Sequence, residues 1–141
     1  MENQILDQPT ATGKVYSLTQ VYLATLFAGP ITGGYLIAAN FKTLGLPQHI
    51  WKPYLLAFLM LAFIIVSMFI PALDAIPPIV YVIAYTFGLS RMAQTMQDDK
   101  IDEFMAAGGE TYNSWRVVVV GLIGIALSVV LIVGVTLLAD L

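Results

Sequence analysis

Four carboxylates cluster in one short stretch of this chain: Asp98, Asp99, Asp102 and Glu103. Their spacing brings several onto one side of a helix, where their oxygens could take a divalent cation. The glycine of a calcium-binding loop is missing, so the cluster reads as the solvated side of a helix, and no metal is expected. The one histidine, His49, has the chemistry of a general base but no carboxylate or nucleophile beside it in sequence. It reads as an interfacial polar residue. Cysteine is absent, which excludes disulfides and thiolate nucleophiles. Without a His/Asp or Ser/His constellation, a non-enzymatic protein with no cofactor is expected.

Three further patterns bear on binding or transport. Gly29, Pro30, Gly33 and Gly34 interrupt an apolar segment. Proline removes a backbone donor and clashes with the preceding turn, so a kinked or interrupted helix is expected at 29–34. Broken helices line pathways in transporters, whereas Gly29/Gly33 and Ala24/Ala28 are also small-residue pairs that let backbones approach. The packing reading is preferred, because no charge sits at mid-membrane to accompany a transport site. Tyr81 and Tyr85, with Thr86 and Ser90 nearby, suit hydrogen bonds between helices or a polar path. Gly121, Gly124 and Ser128 share one face of a late apolar segment and make a flat strip for another helix.

The elements that must position these residues follow from composition. A chain of 141 residues that is 59% hydrophobic and 11% charged, with mean hydropathy +0.85, is far more apolar than a soluble domain, whose charged share is about a quarter. It belongs in a bilayer. A net charge of −3, divided among loops, argues against a nucleic-acid partner. The first residues are polar and slightly acidic, unlike a cleaved signal peptide.

An all-α integral membrane bundle of four transmembrane helices is expected: a flexible tail over 1–16, then one domain over 17–141. The spans are placed at about 18–39, 53–70, 79–95 and 115–139, long enough at about 1.5 Å per residue to cross a core of about 30 Å. Ser17 or Thr19 caps the first, Pro53 and Pro77–Pro78 start later ones, and Asn113 or Ser114 caps the last. The third helix runs on as an amphipathic cytoplasmic extension over about 96–107, ended by Gly108 and Gly109.

Four crossings put Lys42, Lys52, Arg91, Lys100 and Arg116 on one side, and Lys14 alone among the six basic residues on the other. The positive-inside bias then makes both termini extracytoplasmic. Trp51-Lys52 and Trp115-Arg116 each begin a span from the basic face, as interfacial anchors do. Should the Gly/Pro stretch turn back instead of crossing, three spans remain and the tail changes side.

Residues 16–45, with the Gly/Pro-interrupted first span and the Asn40-Phe41-Lys42 exit, resemble short, uncharacterised multi-span proteins of bacterial inner membranes. The resemblance implies a multi-pass protein of that membrane and carries no activity with it. The expected function is therefore helix–helix association within membrane lipid, as a homo-oligomer or an accessory subunit of a membrane complex. The alternative is a small oligomeric channel or transporter built around the broken first helix.

Overall fold

The computed structural model describes residues 12–141 and is all-helical apart from one short strand pair. The chain begins with β1 (Lys14–Val15), then α1 (Leu18–Ala28) and α2 (Pro30–Thr43). After a 3-10 turn at Pro47–His49 comes α3 (Trp51–Ser67), and after a second at Pro71–Leu73 comes α4 (Pro78–Ala106). β2 (Glu110–Thr111) and α5 (Ser114–Ala139) complete it.

Local chemistry accounts for most of these boundaries. Ser17 and Gln20 form a reciprocal capping box at the start of α1, each side chain satisfying a backbone N–H of the other residue. Pro78 occupies the first turn of α4, where its missing N–H costs nothing. Gly108 follows the end of that helix in the left-handed region, at φ 88°. Asn113 caps α5 by accepting the Trp115 N–H at 3.0 Å. α4 is continuous over 29 residues, so the expected cytoplasmic extension is an unbroken part of the third helix.

Among the described residues, two helical units are long and apolar enough to cross a membrane: Pro47–Ser67, which includes α3, and Ser114–Ala139. The segment expected to cross at 18–39 is a different object. Gly29 adopts φ 92° and ψ 180°, a backbone conformation essentially restricted to glycine, and Pro30 starts a new helix at once. The interruption expected at 29–34 thus falls at Gly29, while Gly33 and Gly34 lie inside α2. It reverses the chain. Tyr16, just before α1, exchanges two hydrogen bonds with Asn40 near the end of α2. The two helices are therefore antiparallel, and 18–39 enters and leaves at one end.

This hairpin lies at the centre of the molecule. α2 packs most extensively on α3, α1 on α4, and α5 lies against both hairpin helices rather than against α3 or α4. The core comprises Val21, Ala24, Leu36, Ile37 and Phe41 from the hairpin with Ala57, Leu89 and Ala93. The tail also needs correction at its end. Val15 and Tyr16 are buried, and Lys14–Val15 pairs in parallel with Glu110–Thr111, a pairing extended by the Tyr112 N–H to the Val15 carbonyl at 2.9 Å. Residues 1–11 of the expected tail lie outside the described residues.

Replacing Gly29 tests the turn. No atom lies within 4 Å of the space a Cβ would occupy there, so the strain is confined to the backbone. Gly29→Ala is expected to cost about 1–3 kcal/mol, read as a lower thermal midpoint by circular dichroism in detergent. Gly134→Ala, at another open position but inside a regular helix, is expected to leave stability unchanged or to raise it by up to about 1 kcal/mol, because alanine is the better helix former.

Candidate functional site: the hairpin and its mouth

Tyr16 ends the short strand pair and Asn40 lies three residues before the end of α2, so the fold delivers both to the open end of the hairpin. Asn40 Oδ1 accepts the Tyr16 N–H at 2.7 Å, and its Nδ2 donates to the Tyr16 carbonyl at 2.8 Å. Gln97 of α4 completes the group. Its Nε2 donates to the Ile37 carbonyl at 2.8 Å, while its Oε1 lies 3.4 Å from Asn40 Nδ2. Asn40 and Gln97 are both fully buried. A buried amide left without partners costs about 1–3 kcal/mol, so this mutual satisfaction holds hairpin and α4 in a single register.

Small residues let the surrounding helices approach the hairpin. Gly33 faces Thr25 across the turn, where a Cβ would overlap the threonine side chain. A Cβ at Gly34 would lie 2.7 Å from that of Ala57 and 3.0 Å from the Pro53 carbonyl oxygen. On α5, Gly121 faces Ala28 and Gly124 faces Thr32. The glycines of the Gly121, Gly124 and Ser128 strip are therefore used within the chain, against both sides of the hairpin turn. Ser128 donates back to the Gly124 carbonyl at 2.9 Å. The threonine hydroxyls near the turn donate to backbone carbonyls, Thr25 to Val21 within α1 and Thr32 across the turn to Ala28 at the end of α1.

At the mouth, Arg116 in the first turn of α5 donates its Nε–H to the Tyr16 hydroxyl at 3.0 Å. Its guanidinium lies 4.4 Å from the centre of the Tyr112 ring, which in turn stacks on Tyr16 with centroids 4.5 Å apart. Burial raises the Tyr16 phenol above its ordinary pKa, and the Arg116 charge opposes part of that rise. Gln20 Nε2 ties α1 to this layer through the Tyr112 carbonyl at 2.8 Å. A cavity of about 480 Å³ opens here, with Tyr35, Lys42 and Thr43 on its other wall.

The remaining sequence candidates disperse. Asp99, Asp102 and Glu103 are exposed, Asp98 is half-buried, and Glu103 pairs with Lys100 at 3.6 Å. Among the described residues no group of three acidic or histidine side chains is arranged to hold a metal. His49 stacks on Phe41, at 5.5 Å between centroids. Tyr81 packs on Phe63, and with Tyr85 it lines an apolar groove between α3 and α4. Asn40, Gln97 and the Tyr16–Arg116–Tyr112 stack went unrecognised as a site in sequence. A signal did exist: turning the first segment back gathers every basic residue at one end.

Comparison with protein-family models, with curated proteins and with solved structures found no match.

The clamp predicts strong coupling between its members. Asn40→Ala and Gln97→Ala are each expected to destabilise the protein by about 2 kcal/mol. The double variant should lose clearly less than the sum, because the two side chains serve one network. Thermal or denaturant unfolding of the three variants in detergent measures this.

Proposed function

We propose that the chain is an integral protein of a bacterial inner membrane that works without enzymatic chemistry, by helix–helix association, as a homo-oligomer or an accessory subunit of a membrane complex. In this reading α3, the first part of α4 and α5 cross the bilayer, while α1 and α2 form a re-entrant hairpin reaching part of the way in. Backbone at membrane depth is tolerated in such a hairpin because neighbouring helices cover it.

The observation carrying the reading is the state of α5 beyond the hairpin turn. From Ile125 onward it is largely exposed on every side, and α3 and α4 leave it uncovered. The glycines Gly121 and Gly124 are already taken up inside the chain. Association is therefore assigned to the far part of α5 and to the groove holding Tyr81 and Tyr85, not to Gly121 and Gly124.

Sidedness follows from charge. With the hairpin re-entrant, Lys14, Lys42, Lys52, Arg91, Lys100 and Arg116 all belong to the end of the molecule that carries the mouth. They are all six basic residues of the chain. The far end carries Asp74 and Asp140. The positive-inside bias makes the mouth cytoplasmic. The N-terminal tail is then cytoplasmic and the C-terminus extracytoplasmic, which reverses the sequence expectation for the tail alone.

A channel or transporter is the second reading. It draws on the Thr86 and Ser90 hydroxyls of α4, whose buried oxygens have no hydrogen-bond partner among the described residues. Flux assays in liposomes separate the two. Association alone yields no flux, whereas a transporter shows flux that Gly33→Leu abolishes.

The lack of native cysteine allows a direct test of topology and assembly. An impermeant maleimide is expected to label Ala72→Cys in intact cells, and Thr12→Cys only after permeabilisation. Light scattering of the protein in mild detergent should give an oligomer or a complex with a retained partner. Monomers alone, with nothing retained from native membranes, would contradict association.

A further inference from the structure

The polar cavity at the mouth does not stand alone. Tyr35, on its wall, also lines an apolar cavity of about 370 Å³ bounded by Ile31, Tyr54, Val120, Ile123 and Leu127. The two spaces share helix strips. On α5, Arg116, Val120, Ile123 and Leu127 follow at intervals of four, three and four, which is one face of a helix. On α2, Ile31, Tyr35, Ala39 and Lys42 do the same from the opposite wall. A cationic, hydroxyl-bearing chamber therefore adjoins, at Tyr35, a hydrocarbon-lined groove.

Among the described residues, no carboxylate is paired with the cations of the upper chamber. Arg116 uses only its Nε–H, and among the described residues its Nη hydrogens have no hydrogen-bond acceptor. The ion pairs among the described residues are Lys14–Glu110 and Lys100–Glu103, so neither Arg116 nor Lys42 is neutralised by a carboxylate. Tyr112 and Tyr16 fix the guanidinium plane from two directions, which leaves its outer edge presented as a fork suited to phosphate oxygens. Arg116 also lies in the first turn of the 26-residue α5, where the helix dipole adds to the positive potential.

We propose that this paired space binds one anionic glycerophospholipid of the leaflet at the mouth, with its phosphate between Arg116 and Lys42 and an acyl chain in the groove beside Val120 and Ile123. The upper chamber lies within the roughly 300–1,000 Å³ of small-molecule sites. The joined groove distinguishes a lipid from free phosphate, since phosphate would use the cations and leave the hydrocarbon wall idle. The inference rests on the membrane placement and is independent of whether the chain acts by association.

The test uses the full chain in mild detergent, titrated with phosphatidylglycerol, phosphatidylcholine or inorganic phosphate, with bound lipid counted by native mass spectrometry and the thermal midpoint followed in parallel. Phosphatidylglycerol is expected to bind roughly ten-fold more tightly than phosphatidylcholine and to raise the midpoint, while inorganic phosphate leaves it unchanged. Lys42→Gln, at an exposed side chain with no partner among the described residues, is expected to weaken phosphatidylglycerol about ten-fold without altering the fold. Val120→Trp, which fills the groove, should weaken both lipids. Arg116→Gln should act like Lys42→Gln, and if it unfolds the protein the other two variants still decide. Equal binding of the two lipids, unchanged binding in Lys42→Gln and Val120→Trp, or equal stabilisation by inorganic phosphate would each overturn the proposal.

Discussion

One side chain holds the two arms of the hairpin together at their open ends. Asn40 offers an acceptor and a donor to the N–H and the carbonyl of Tyr16, the backbone pairing that a strand would otherwise supply. This brings the chain ahead of α1 back beside the end of α2, and the rest of the mouth follows. Val15 can then reach Tyr112, Tyr16 can stack on Tyr112, and Arg116 can lie over that stack. Water cannot substitute for a lost partner at a fully buried amide, so the interaction holds one arrangement far more firmly than an apolar contact would.

The hairpin also sets the shape of the bundle. It separates α5 from the α3–α4 pair, and its turn is matched to α5 by Gly121 against Ala28 and Gly124 against Thr32. Beyond the turn no described element fills the same space. A half-length insertion in a full-length bundle leaves one part tightly packed by small residues and the other part open. With the proposed placement in lipid, where apolar contact alone gives little preference for protein over solvent, close backbone approach and internal hydrogen bonds would provide the cohesion. That accounts for a cohesive end rich in glycine, threonine and amides, and an open end of leucine, isoleucine and valine.

Much of the helix pattern was legible in the sequence, because it depends on local chemistry. The cap at Ser17 or Thr19, the prolines that start helices, the end of α4 before Gly108 and the cap at Asn113 or Ser114 each involve residues a few positions apart, and the structure takes Ser17 and Asn113. The break at Gly29 was legible for the same reason. Its consequence was not. A long apolar segment satisfies the length of a crossing whether it bends slightly or doubles back, and the deciding contact joins residues 16 and 40. Asn40 read as an exit residue and Gln97 as part of a solvated extension, since their partners lie far away in the chain. The glycine strip on α5 was visible by spacing, but whether it faced this chain or another copy depended on where the hairpin turn would fall.

The antiparallel hairpin is the claim on which the mouth, the packing and the sidedness all depend, and proximity of its two ends tests it most directly. Thr12 and Thr43 line the same cavity, and in a chain without native cysteine both can be replaced by cysteine and treated with a short bifunctional thiol reagent. A hairpin predicts efficient intramolecular cross-linking, seen as a mass gain of one bridging reagent with no free thiol remaining. A single helix over 18–39 would separate those positions by about 30 Å or more, and two independently labelled thiols with no cross-link would contradict the account.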